Sequence, residues 1–253
     1  VSDKTGEKMI IDVLGSGSAF ATQQNTSAIL IKGDGQWLVD CGPTIPRALW
    51  QRQTDINAID VIWFTHVHPD HCAGLAPLLN QWKSVGRVKP LTIYCQPDQR
   101  AVLQQQALLA VWPQTTFCFA IDWRDITGDM AWRDWRIRSA PTQHEIPCRA
   151  LRIDTDGAAL FYSGDGRPTP DSLALMAGAT LAFQECASWR ALDDDASHGD
   201  FPSCLTVCEC LQLPALGLYH CREADIPAIR DACARHPALF FVEEGQQYTL
   251  ARP

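Results

Sequence analysis

Short apolar runs that each close on a polar or glycine tip recur along this chain. Residues 9–14 read as a strand ending in Gly15-Ser16-Gly17-Ser18, where two glycines permit positive φ and let backbone approach a ligand. The segment lacks a Gly-x-Gly-x-x-Gly pattern and a following Lys, so it carries little nucleotide-binding signal. Residues 27–31 and 37–40 pair as a hairpin about Lys32-Gly33-Asp34-Gly35. Residues 61–64 (Val-Ile-Trp-Phe) form a buried strand, and residues 91–95, 117–119 and 135–138 are further strands. The last of these alternates as a half-exposed strand should. Helical spacing follows Ala73 as far as Gly86, and again from Pro97 through Val102, Leu103, Leu108 and Leu109. Later helices fall near 169–177, 202–211 and 225–236.

In the second half, a strand with a chemically loaded tip repeats. Residues 140–143 run into His144, 159–163 into Gly164-Asp165, 181–183 into Gln184-Glu185, and 216–219 into His220. Strand ends are where an α/β fold gathers a site from distant sequence. Roughly a dozen strands with helices between the two halves predict two packed sheets flanked by helices. No repeat, low-complexity tract or linker interrupts the pattern, so 1–253 reads as a single domain with 1–8 as a polar, flexible leader. Trp123, Trp132 and Trp135 read as packing residues rather than pocket lining.

Composition narrows the class. Hydrophobic residues make up 46% of 253 and charged residues 20%, which fits a soluble globular protein with a full core. The net charge of −8 disfavours a general nucleic-acid binder, which needs a basic patch for phosphates. It leaves room for a small anionic substrate, because bound metal supplies local positive charge. Eleven cysteines, an odd number with no Cys-x-x-Cys pair, read as reduced thiols of a cytoplasmic protein. Cys204 and Cys208 would share a helix face while Cys210 turns away, which argues against a metal site there. No run is long enough to span a membrane.

The densest chemistry is Thr65-His66-Val67-His68-Pro69-Asp70-His71, three histidines and one aspartate within six residues, directly after a buried strand. Such a cluster at a sheet rim holds a metal with open coordination positions. Imidazole and carboxylate donors suit zinc, iron or manganese alike. Asp40, which ends the strand before Cys41-Gly42, reads as a turn-former or as the carboxylate that orients one of these histidines.

With His144, Asp165 and His220 added, the set resembles the metallo-β-lactamase superfamily in its dinuclear branch, over nearly the whole chain. The resemblance implies a four-layer αββα sandwich of two mixed β-sheets flanked by helices. It implies that His66, His68 and His144 hold one divalent metal and that Asp70, His71 and His220 hold the other, zinc foremost with manganese or iron as alternatives. Asp165 would bridge the two, with a hydroxide between them, and Asp70 would count among the catalytic groups. A narrower likeness joins Tyr162-Ser-Gly-Asp165-Gly-Arg-Pro-Thr-Pro-Asp-Ser-Leu-Ala, Gln184-Glu185-Cys186-Ala187 and Ser197-His198-Gly199 to the ribonuclease Z and phosphoribosyl cyclic phosphodiesterase branch. It implies that Glu185 and His198 are a catalytic carboxylate–imidazole pair able to donate a proton to a leaving oxygen.

Departures from that branch shape the expectation. Only 20 residues separate His144 from Asp165, where ribonuclease Z carries its tRNA-gripping arm, so tRNA is not an expected partner. Gly199-Asp200 replaces the ribonuclease Ser-Thr, and the cyclic phosphodiesterase's Cys-rich zinc site is missing. Asp165 stands where true β-lactamases commonly have Cys, which argues against antibiotic hydrolysis. The expected activity is hydrolysis of a small phosphodiester, cyclic or linear, by a metal-bridging hydroxide. The alternative is a thioesterase or lactonase of the same superfamily. A membrane is not an expected partner, and a homodimer is the assembly allowed for.

Overall fold

A computed structural model describes residues 8–250; the expected leader lies, apart from Lys8, outside the described residues. The chain opens with β1 (Met9–Gly15), β2 (Ala28–Gly33), β3 (Gly35–Val39), α1 (Ile45–Gln51) and β4 (Val61–Trp63). Next come α2 (Pro69–Cys72), α3 (Leu75–Ser84), β5 (Leu91–Cys95), α4 (Arg100–Val111) and β6 (Ile121–Asp125). The middle is β7 (Asp129–Trp132), β8 (Trp135–Thr142), β9 (Cys148–Thr155), β10 (Ala158–Tyr162), α5 (Pro170–Met176) and β11 (Leu181–Glu185). It closes with α6 (Phe201–Cys210), β12 (Leu216–Tyr219), α7 (Ile226–Cys233), β13 (Leu239–Phe241) and β14 (Gln247–Leu250).

These strands form two seven-stranded sheets, ordered β14-β1-β2-β3-β4-β5-β6 and β13-β12-β11-β10-β9-β8-β7. Both are mixed: β14 to β3 and β7 to β10 pair antiparallel, while β3 to β6 and β10 to β13 run parallel. The period-2 alternation of side chains builds the layers. Ile11, Val13, Trp37, Val39, Val61 and Trp63 meet Leu151, Ile153, Leu160, Tyr162 and Phe183 between the sheets. The interposed Leu38 and Ile62 face outward onto Leu49, Leu75, Leu79 and Leu103 of α1, α3 and α4. Phe161 and Ala182 face the opposite way, onto Met176, Phe201 and Ile229 of α5, α6 and α7. The result is the expected αββα sandwich, with each buried large apolar side chain stabilising it by roughly 1.5–3 kcal/mol.

Some expectations need correction. Residues 117–119 form no strand: Phe119 lies 5.3 Å from the buried Arg87 guanidinium, and β6 takes the edge of β5 instead. The Arg87 guanidinium donates to the carbonyls of Ile56, Ile59, Lys89 and Pro90, so it needs this aromatic cover rather than a strand. On α4 only Leu103 of the four apolar residues singled out is buried; Val102, Leu108 and Leu109 are exposed. Trp135 is buried in the inter-sheet core, Trp132 meets Trp37 edge-on, and Trp123 packs on the helical layer, so the tryptophans pack as expected. All eleven cysteines are free; Cys204 and Cys208 are buried while Cys210 is exposed, and Cys118 is the other exposed one. No helix of the described residues is long and apolar enough to cross a membrane.

Candidate metal centre

The carboxyl ends of the parallel strands β10, β11 and β12 lie side by side, so their tips converge on the end of β4 and the loop after β8. All nine singled-out residues come together there: His66, His68, Asp70, His71, His144, Asp165, Glu185, His198 and His220. Local backbone chemistry aims them. Asp165 sits between Gly164 and Gly166, with φ of 65° and 103°, which favour glycine. A Cβ on Gly166 would come within 2.5 Å of the Gln143 carbonyl. That contact is part of a two-way bridge in which Gln143 N donates to Arg167 O and Arg167 N to Gln143 O, locking the His144 loop to the Asp165 loop. His220 and Asp40 hold left-handed φ of 58° and 62°, a strain of about 1–3 kcal/mol each that their surroundings must offset. His220 N donates to Ser16 O, and Asp40 N to Trp63 O. The glycine loop after β1 thus serves the site through Ser16, while Gly15 and Gly17 pack against the backbone of residues 25–26.

The first donor set is a triangle of imidazoles. His66 Nε2 lies 3.1 Å and His144 Nε2 3.0 Å from His68 Nδ1. Their outer nitrogens fix the tautomers. His144 Nδ1 meets the Ser197 carbonyl at 2.8 Å, which only accepts. His68 Nε2 meets the Glu145 carboxylate at 2.9 Å. The Thr65 hydroxyl gives its proton to Asp40 Oδ2, so at 3.0 Å it accepts from His66 Nδ1. Each ring therefore turns a lone pair inward. Burial also holds His66 well below the usual histidine range and lowers His144, keeping both neutral. Three lone pairs facing one another at 3.0–3.1 Å fit a cation, since no proton is left to satisfy them.

The second set is Asp70, His71, Asp165 and His220, all buried. His71 Nε2 lies 3.2 Å from Asp70 Oδ2 and from Asp165 Oδ1, and His220 Nε2 lies 3.2 Å and 3.3 Å from Asp70 Oδ2 and Asp165 Oδ2. Asp165 Oδ2 also reaches 4.0 Å from His66 Nε2, so this carboxylate faces both sets. Burial would raise Asp165 and Asp70, yet His220 and His71 hold both carboxyls well below the usual range. Burial likewise opposes the charging of His71 and His220, and Asp165 overrides it in both, with Asp40 helping at His71. His71 Nε2 and Asp165 Oδ1 are buried with no well-aligned hydrogen bond, which suits them to hold a metal. Asp40 proves to be the orienting carboxylate, its Oδ2 2.8 Å from His71 Nδ1.

Glu185 and His198 stand beside both sets. Glu185 Oε1 accepts from Gly166 N and Gly199 N at 2.9 Å and lies 3.2 Å from His198 Nδ1; Oε2 accepts from Ala187 N at 3.1 Å. The hydrogen bond to Glu185 raises the His198 pKa against the effect of burial. His198 Nε2 is left to face the site, its ring 5.0 Å from that of His144. Glu145, Thr65 and the Gln143–Arg167 bridge were not evident in the sequence; the adjacency of Glu145 to His144 was its only signal.

Two mixed sheets in an αββα sandwich, with a His/Asp cluster at the strand ends, define a hydrolase of the metallo-β-lactamase fold, close to the ribonuclease Z branch. A sequence profile described as Anti-Pycsar protein Apyc1 matches residues 9–248, and the chain belongs to that family. An Anti-Pycsar protein Apyc1 of Paenibacillus harenae is 28% identical over 213 residues, covering 81% of this chain and 86% of the relative. Ribonuclease Z of Haloarcula marismortui is 31% identical over 145 residues, covering 56% of this chain and 45% of that enzyme. The crystal structure of the metallo-β-lactamase fold protein YhfI from Bacillus subtilis superposes with a TM-score of 0.83 at 20% identity, covering 97% of this chain and all (100%) of YhfI. Human tRNase Z, short form, superposes with a TM-score of 0.76 at 19% identity, covering 96% and 99%.

Proposed function

We propose that the chain is a dinuclear metal-dependent phosphodiesterase acting on a small, cyclic phosphodiester. The observation that carries this is the Glu185–His198 pair, hydrogen-bonded at 3.2 Å and packed directly against two donor sets that share Asp165. Divalent metal held by these sets would acidify water and polarise a phosphoryl oxygen, with zinc best matching the three-imidazole geometry. Asp70, whose carboxylate faces the second set, would orient the attacking water. The water would release a proton to solvent as its oxygen bonds to phosphorus, the P–O ester bond would break, and the departing ester oxygen would take a proton from His198 Nε2. An alkoxide is a poor leaving group, so a positioned donor matters most for this class of substrate. Glu185 holds the imidazole by Nδ1 and stabilises its charged form.

The acyl alternative, a thioesterase or lactonase, needs an apolar pocket for its substrate. The tryptophans that would have furnished one are packed in the sheet and helix layers. A precursor tRNA is an unfavourable substrate, given the 20-residue interval between His144 and Asp165 and the net charge of −8.

The test is a substrate panel on metal-analysed protein: bis(p-nitrophenyl) phosphate, 3′,5′-cyclic mononucleotides, a thioester, a lactone and a precursor tRNA. Turnover of the phosphodiesters, near two metals per chain, and loss of both on Asp165→Ala are expected. Acyl hydrolysis outpacing phosphodiester hydrolysis, site-specific tRNA cleavage, or full activity with one metal would overturn the reading.

A further inference from the structure

Among the metal-facing histidines, three have outer partners of a closed kind. Asp40 and Thr65, which hold His71 and His66, are fully buried, and His144 is held by a backbone carbonyl. His68 differs. Its outer nitrogen is held by the Glu145 side chain, 65% exposed, at 2.9 Å. His68 is also the ring that presents Nδ1 inward, where His66 and His144 present Nε2. Its neighbour in sequence, Pro69, opens the short helix α2, and His68 itself has an extended backbone (φ −62°, ψ 148°) with no side-chain cap bond. The Glu145 contact is therefore the side-chain hydrogen bond that sets the ring's orientation from outside the triangle.

We infer that Glu145 is a positioning residue: it fixes the His68 tautomer and ring plane and so sets how tightly the triad of His66, His68 and His144 retains its metal. The geometry supports this from two sides. Residues 144 and 145 flank His68, with His144 Nε2 at 3.0 Å from its inward ring nitrogen and Glu145 Oε1 at 2.9 Å from its outer one. Their loop is itself anchored, by the Gln143–Arg167 bridge on one side and by Gln96 and Gln99, which donate to Pro147 O, on the other. An exposed ion pair between free side chains is worth little, because solvent screens it. A carboxylate on a metal-ligating imidazole acts differently, raising ligand basicity and removing the wrong tautomer, and its loss typically costs 10–100-fold in metal affinity. Exposure places Glu145 toward the lower end of that range.

The inference rests on His68 being a metal ligand, and the test separates the two. Zinc affinity of wild type, Glu145→Gln and Glu145→Ala is measured by competition with a chromophoric chelator, alongside the melting temperature of each metal-free protein. Glu145→Ala should weaken one of two zinc sites by about tenfold. Glu145→Gln, whose amide oxygen still accepts from Nε2, should recover part of the loss. Metal-free melting temperatures should agree, since the side chain is mostly exposed. A wild type that binds no zinc at the triad would overturn the ligand assignment instead. Wild-type zinc binding matched by Glu145→Ala, or equal weakening of both sites, would overturn the role of Glu145.

Discussion

Glu185 accepts three backbone amides as well as one imidazole, so it belongs to the scaffold as much as to the chemistry. His198 is the exchangeable half of the pair. His198→Ala should leave metal content intact and lower turnover of a cyclic mononucleotide on the order of 10²–10⁴-fold. The loss should shrink for bis(p-nitrophenyl) phosphate, whose p-nitrophenolate departs without a proton. Equal losses on both substrates would assign His198 to binding instead. Glu185→Gln cannot be a clean charge deletion, because its NH₂ would face N–H donors at Gly166 and Gly199 or at Ala187. The donors themselves were legible because their density after a buried strand has few other uses. Their partners were not: Glu145 meets His68 across the chain, and only its adjacency to His144 hinted at it.

Helix α6 begins just after His198, and Asp200 is its N-cap. Its side chain accepts from Ser203 N as the N-cap, from Leu192 N, and from Arg167 Nη1 at 2.8 Å. Burial alone would raise its pKa, but the amides of Ser203 and Leu192, with the Ser203 and Arg167 side chains, lower it. The unfolded chain therefore binds this proton more readily, and the stabilisation, complete above about pH 4, is lost as pH falls through the lowered folded value. Asp200→Asn should flatten that acid limb of a stability–pH profile, and Asp200→Ala should cost about 2 kcal/mol at neutral pH in urea unfolding. An acid limb unchanged in Asp200→Asn would refute this. Elements with clear periodicity, such as β1, the β2–β3 hairpin and α5 to α7, were readable from the sequence. α1 and β13 were not, and residues 117–119 misled because aromatic alternation also suits the covering of a buried guanidinium.

The two sheets contribute unequal shares to the centre. His66, His68, Asp70 and His71 follow β4 of one sheet, while His144, Asp165 and His220 follow β8, β10 and β12 of the other. Strand tips in the sequence showed that a site would be gathered, but not that its two metal sets would straddle the seam, because sheet assignment depends on pairing between distant strands. Stripping with a chelator should therefore lower the melting temperature, and zinc added back should raise it in a concentration-dependent way. A melting temperature indifferent to zinc would mean that the folded donors do not hold it. Within the sets, contacts from one sheet's donors to the other's span 76 residues from His68 to His144 and 150 from Asp70 to His220. An ion shared across such distances works as a detachable cross-link, removing chain entropy that two separately fluctuating sheets would otherwise keep. On the proposed reading, metal supply would govern lifetime as well as turnover: a starved protein should open along the seam more often, which limited proteolysis of stripped and reloaded samples would reveal as different rates of cutting.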